Sequence, residues 1–202
     1  MNSHIIPKTK KGIETRNRLL EAARTVALRF DGQIEIARIA EEAGVVASVV
    51  HRYFGSKNGL VTAIVDDHYD RLEKQVFALD LHKTRDWMES EKLRLKVGVD
   101  FMYDEPFAKV IHGQFARAPE VASRERERID AVITRTAKGI KRAQALGTLP
   151  AHVDADLAGA AMFGALVQVI SQALSRKRKP SREAVFEVMW RQVAASVDMS
   201  TP

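Results

Sequence analysis

The chain has 202 residues, 46% apolar and 29% charged, which is enough apolar content for a packed core and argues against a disordered polypeptide. It contains no cysteine, which excludes disulfides and thiolate metal sites and points to a reducing compartment. Formal net charge is +6, and residues 1–60 carry ten Lys or Arg against six Asp or Glu, so four of the six excess positive charges fall in that segment, a weak footprint for phosphate attraction.

Residues 1–12 are polar and basic, with Lys8, Lys10 and Lys11, and read as a loose arm. A first helix is expected from Ile13 to about Phe30, burying Leu19, Leu20, Ala23, Ala27 and Phe30. Ile36, Ile39, Ala40 and Ala43 then recur at spacings of three and four, which makes a narrow apolar helix face built partly of alanine. Gly44 follows, free to take the positive φ that a helix end often needs, and the next helix restarts at Ala47 without room for a long loop. In this second helix Val50 and Phe54 point inward. Ser48, His51 and Arg52 cluster on the opposite side, with Ala47 and Val49 at its margins, and this mixture of small, cationic and hydrogen-bonding groups suits a nucleic-acid groove. Gly55 breaks the helix, Ser56 is a candidate N-cap, and Lys57 sits in the first turn of a fourth helix reaching about Leu79, whose N-terminal N–H groups suit a phosphate. Periodicity alone leaves open a generic helix pair with no DNA role.

Beyond residue 80 helices are expected near 85–103, 105–115, 119–146, 154–175 and 181–198, separated by breaks that mostly contain proline or glycine. No strand-like alternation occurs, so the fold class is all-α. The longest apolar run, residues 157–167, is eleven residues. A bilayer span takes roughly 20, so this reads as a buried helix with no membrane partner. The helix over 154–175 is nevertheless apolar nearly all round, with Gly159, Ala160, Gly164 and Ala165 permitting close approach, so it needs cover on every side, for which a two-fold partner is the simplest candidate. The expected dimer interface is Leu157, Ala160, Ala161, Gly164, Ala165 and Gln168, joined by Val185, Val188, Met189 and Val193 of the last helix.

From Thr15 to Leu60, through TRNRLLEAARTVALRF, IARIAEEAGV and HRYFGSKNGL, the chain resembles the DNA-binding unit of the TetR family of transcriptional repressors. The resemblance implies a helix-turn-helix unit at 13–56, following the arm at 1–12, and a larger helical ligand-binding and dimerisation domain at 57–202. It also implies that the last two helices form a four-helix bundle across a homodimer, and that a small-molecule inducer releases the DNA. Two short recognition helices held by a two-fold axis read an inverted-repeat operator in double-stranded DNA. Ala47, Ser48 and Arg52 are then the base-facing residues, Arg52 foremost because guanidinium pairs with guanine O6 and N7, while His51, Tyr53 and Lys57 hold the backbone. Two positions depart from the family: Glu35 and Val46 stand where Thr and Ser usually cap the second and third helices.

A ligand pocket is expected among Trp87, Phe101, Met102, Tyr103, Phe107, His112, Phe115, Met162, Phe163 and Gln168, with His112 and Gln168 as its polar contacts, although such residues also make plain core. None of the six histidines falls at the i, i+4 spacing of a helical metal pair, and no nucleophile motif or phosphate-cradling glycine loop is present, so no catalysis, metal or cofactor is expected. The N-terminus shows no secretory leader, so a cytoplasmic location is expected. The alternative is an all-α small-molecule-binding or enzymatic protein whose altered helix pair no longer reads DNA.

Overall fold

Thr9 sets the start of the first helix: its Oγ1 accepts the Gly12 N–H at 3.1 Å, and α1 runs over Lys10–Arg29. In this computed structural model, which describes residues 7–79, 86–105, 107–111 and 119–199, Lys10 and Lys11 therefore lie in a helical turn and not in a loose arm. α1 ends where Asp31 and Gly32 take positive φ. Helix α2 covers Ile36–Glu42 and α3 covers Ala47–Phe54. Leu19, Ala23 and Ala27 of α1, Ile39 and Ala40 of α2, and Val50 and Phe54 of α3 are all buried. Burying a side chain such as Ile39 is worth about 1.5–3 kcal/mol. Phe30 is only half-buried, roofed by the Arg38 guanidinium at 4.2 Å from its ring centre.

Helix α4 spans Lys57–Leu72 and widens over Glu73–Phe77 into π geometry, closed by the Ala78 N–H donating to the Glu73 carbonyl at 2.8 Å. Five more helices follow: α5 (Trp87–Asp104), α6 (Ala108–Ile111), α7 (Pro119–Ala145), α8 (Ala155–Ser175) and α9 (Arg182–Ser196). Asp86, Asp154 and Ser181 cap α5, α8 and α9 through side-chain oxygens. The described residues contain no strand.

The chain divides into two compact units, residues 1–69 with 106–126, and residues 70–105 with 127–202. By packing, the first unit thus reaches beyond residue 56, taking in most of α4, α6 and the start of α7. Its core includes Leu60, Ile64, Val65, Phe107, Ile111 and Val121. The buried Arg24 crosses it, pairing with Asp67 at 3.2 Å and lying over the Phe107 ring at 5.0 Å. In the second unit α5, α8 and α9 pack on one another. A Cβ on Gly159 would lie 3.2 Å from the Ile133 carbonyl oxygen, so this glycine lets α8 approach α7.

Candidate functional site

The turn between α2 and α3 is made by backbone alone. The Gly44 N–H donates to Glu41 O at 3.0 Å and the Val45 N–H to Ala40 O at 2.9 Å, a Schellman closure that requires the left-handed Gly44, φ +64°. Val46 then enters α3 in extended conformation with no side-chain cap, and its own side chain is 68% exposed. Glu35 likewise leaves α2 without a side-chain cap. Its carboxylate instead accepts from Arg38 Nε at 2.7 Å.

α3 splits cleanly by face. Val50, Tyr53 and Phe54 are buried, whereas Ala47, Ser48, His51 and Arg52 are exposed. All three expected base-facing residues therefore share one outward surface with His51. Tyr53 is 8% exposed, with its ring centre 6.5 Å from that of Phe54. The Arg52 guanidinium lies 5.6 Å from the Tyr53 ring, and Arg16 of α1 lies 5.6 Å from the ring of Phe54. His51 Nδ1 stands 3.4 Å from the Gly55 carbonyl oxygen.

The junction after α3 is pinned in the same way. Gly55 has φ +74° and ψ −53°, a tight γ-turn in which the Ser56 N–H donates to Phe54 O at 2.8 Å. Ser56 Oγ then accepts the Gly59 N–H at 3.0 Å, which makes Ser56 the cap of α4 and leaves Lys57 exposed in its first turn. Restoring a cap at the other end of the reading helix is expected to stabilise the protein: Val46→Ser should raise the unfolding free energy by about 1 kcal/mol in a denaturant titration. No gain would mean that the α3 N–H groups already have partners.

In the second unit the expected pocket residues separate. Met162 and Phe163 line a cavity of about 50 Å³ together with Leu95, Val132 and Met189. Phe101 and Met102 are core residues of α5, and half-buried Trp87 packs against Gly139. Tyr103 donates its hydroxyl to the Pro180 carbonyl at 3.0 Å. Phe107 belongs to the first unit, and Gln168, exposed on α8, lines a second cavity of about 330 Å³ together with Val185 and Val188 of α9. His112 and Phe115 lie outside the described residues. Two lining residues escaped the sequence reading: Glu91, buried, and Arg94, ion-paired with it one turn along α5. Burial pushes the Glu91 carboxyl above the usual range, against the opposing pull of Arg94.

The expected interface residues also divide. Leu157 is 70% exposed, Ala161, Gly164 and Gln168 are exposed, and Ala160 and Ala165 are half-buried, so α8 presents one continuous outward stripe. A Cβ on Gly164 would meet nothing within 4 Å. Of the four expected α9 residues, Val188 is exposed, whereas Val185, Met189 and Val193 are buried within their own chain. By length and composition α8 is sufficient to cross a membrane, which the count of uninterrupted apolar residues understated. Among the described residues no group of three or more His, Asp or Glu is placed to hold a metal ion.

Residues 19–64 match the family model of bacterial regulatory proteins of the tetR family. The N-terminal domain is a TetR-family domain. No curated protein sequence matches the chain. Solved structures share the fold of this chain: FadR of Bacillus halodurans, a fatty acid degradation regulator, is 16% identical with TM-score 0.78 over 92% of this chain and 97% of its own. FadR of Bacillus subtilis, in complex with stearoyl-CoA, is 16% identical with TM-score 0.73 over 90% and 98%. NalD of Pseudomonas aeruginosa, the secondary repressor of a multidrug efflux pump, is 17% identical with TM-score 0.68 over 89% and 97%.

Proposed function

We propose that the protein is a homodimeric, sequence-specific DNA-binding repressor that reads an inverted-repeat operator with α3 and is released by a small-molecule inducer. The observation that carries this reading is the division of α3 into a buried face and an exposed face of Ala47, Ser48, His51 and Arg52, with Lys57 at the start of the next helix. A short helix fixed by Val50 and Phe54 and offering small and cationic groups outward fits a major groove. Arg52 pairs with guanine, and His51 and Lys57 hold phosphates on either side.

Dimerisation is supported by the outward stripe of α8. Only 39% of the apolar window of this helix is buried within the chain, and its exposed side includes Gln168 and Gln172, which a second protein surface accommodates better than lipid does. Release by a small molecule is supported by the cavity under α5 and by the stearoyl-CoA held by one structural neighbour. A ligand acts by binding more tightly to a dimer whose reading helices are wrongly spaced for successive grooves.

Fluorescence anisotropy with DNA flanking the protein's own gene, at fixed salt, tests this reading. Arg52→Ala is expected to cost about 1–3 kcal/mol of specific binding and to relax preference at one base pair of each half-site. Lys57→Ala should weaken binding to all sequences alike and flatten the salt dependence. Equal affinity of the unaltered protein for operator and random DNA would instead favour an all-α ligand-binding protein, the reading that the uncapped starts of α2 and α3 favour.

A further inference from the structure

The cavity enclosed by α5, α7, α8 and α9 is apolar except at one place. Glu91 and Arg94 face it from α5, and the Thr136 hydroxyl, which donates to the Val132 carbonyl at 3.1 Å, adds the remaining polar group. One guanidinium nitrogen of Arg94 holds the Glu91 carboxylate, while its Nε is buried with no hydrogen-bond partner. A buried cationic N–H without an acceptor is costly, so the site holds an unused donor beside an ion pair.

Resting on the ligand-responsive reading above, we infer that the ligand is an organic anion, an apolar body ending in a carboxylate or similar oxyanion, and that Arg94 takes this group in exchange for Glu91. The two partners of the pair are not equivalent. A carboxylate displaced from arginine can accept a proton from solvent and stay buried as a neutral acid. Guanidinium has no such escape, because it does not deprotonate in proteins. A cationic ligand taking Glu91 would leave Arg94, about a quarter of whose side chain is exposed, without its anionic partner and its buried Nε still without an acceptor. An anionic ligand leaves an arginine–oxyanion pair and a neutral Glu91, and Arg94 Nε gains the acceptor it lacks, in the two-pronged geometry arginine favours.

Among the described residues no other ionisable group lines the cavity: the end of α4 and its π turn bring Leu72, Val76 and Phe77, α7 brings Val132 and Thr136, and α8 and α9 bring apolar residues. Arg135 of α7 lies over Phe77 at 5.6 Å and is paired with Glu73. The titration of Glu91 therefore answers to Arg94 and to the ligand. Each anion bound above the Glu91 titration brings in one proton, so affinity falls as pH rises, at most about tenfold per pH unit. At about 50 Å³ the cavity holds a few waters, and an eight-carbon chain enters by moving Phe77 and Leu166, which are only half-buried.

The test uses the full-length protein with octanoate, 1-octanol and octylammonium as probes, followed by calorimetry and thermal shift at pH 6 and pH 8, where octanoate stays ionised. Octanoate is expected to bind at least tenfold more tightly than octanol, and more tightly at pH 6 than at pH 8, while octylammonium gives no shift. Arg94→Gln should bring octanoate down to the affinity of octanol. Glu91→Gln, an uncharged mimic of the protonated acid that does not depend on Arg94→Gln folding, should retain octanoate binding, tighten it at pH 8 and remove the pH dependence. Octylammonium or octanol binding as well as octanoate overturns the anionic class while leaving a ligand-binding cavity, and octanoate affinity indifferent to pH overturns the exchange with Glu91. No shift with any of the three removes the cavity as a ligand site, and the inference with it. Operator affinity measured on the same samples reports separately on DNA reading.

Discussion

Replacing Leu157 and Gly164 together by glutamate is expected to leave a folded monomer that no longer holds an inverted repeat. Both positions lie on the outward stripe of α8, seven residues apart, Leu157 at 70% exposure and Gly164 with nothing within 4 Å of a would-be Cβ. Two carboxylates there cost the isolated chain little, since they remain in water. In a dimer packed through this stripe they meet their own copies across the two-fold axis, desolvated and of like charge. Splitting the dimer also separates the two reading helices. The second half-site then no longer binds intramolecularly, and affinity for the whole operator is expected to drop about 10²–10⁴-fold. Sedimentation velocity and operator anisotropy on the same samples check both parts. A variant that stays dimeric places the interface elsewhere.

Gly59→Ala is expected to cost about 3 kcal/mol of stability, at the upper end of the range for overpacking. A Cβ at this position would overlap the carbonyl oxygen of Phe54, which is backbone and cannot swing aside. That carbonyl already accepts the Ser56 N–H inside the γ-turn at Gly55, and Ser56 in turn caps Gly59, so three contacts converge on one peptide unit. Relief requires α3 to move relative to α4, which displaces Lys57 from the exposed groups of α3. Operator affinity should therefore fall even under conditions where the variant remains folded. A denaturation midpoint unchanged within about 0.5 kcal/mol would contradict the close packing.

The inward and outward faces of α3 were legible because an eight-residue helix has few ways to bury Val50 and Phe54 together. Tyr53 falls on the same arc as Val50, so periodicity alone buries it, while the family resemblance implies a phosphate contact from the same residue. For α9, an apolar stripe tells that Val185, Met189 and Val193 are covered but not by which chain, and their own chain covers them. Gly159 and Gly164 are indistinguishable in composition. The first admits α7 and the second faces open space, a difference that depends on where another helix crosses. Glu91 and Arg94 sit on the apolar side of α5 with Leu95, Gly98 and Met102, at spacings of three and four, which was the available signal. A glutamate and an arginine three residues apart on a helix ordinarily form a solvated pair, which is how the pattern reads without the helices that cover it.

Selection of bound sequences from a random double-stranded pool, with the protein-to-DNA ratio measured on the recovered site, tests most directly whether a symmetric pair of α3 helices reads DNA. The expected result is an inverted repeat with half-site centres about one helical turn apart, or a multiple of it, occupied by two protomers per repeat. Recovery of no sequence preferred over the starting pool, or of an asymmetric site held by a single protomer, would contradict it.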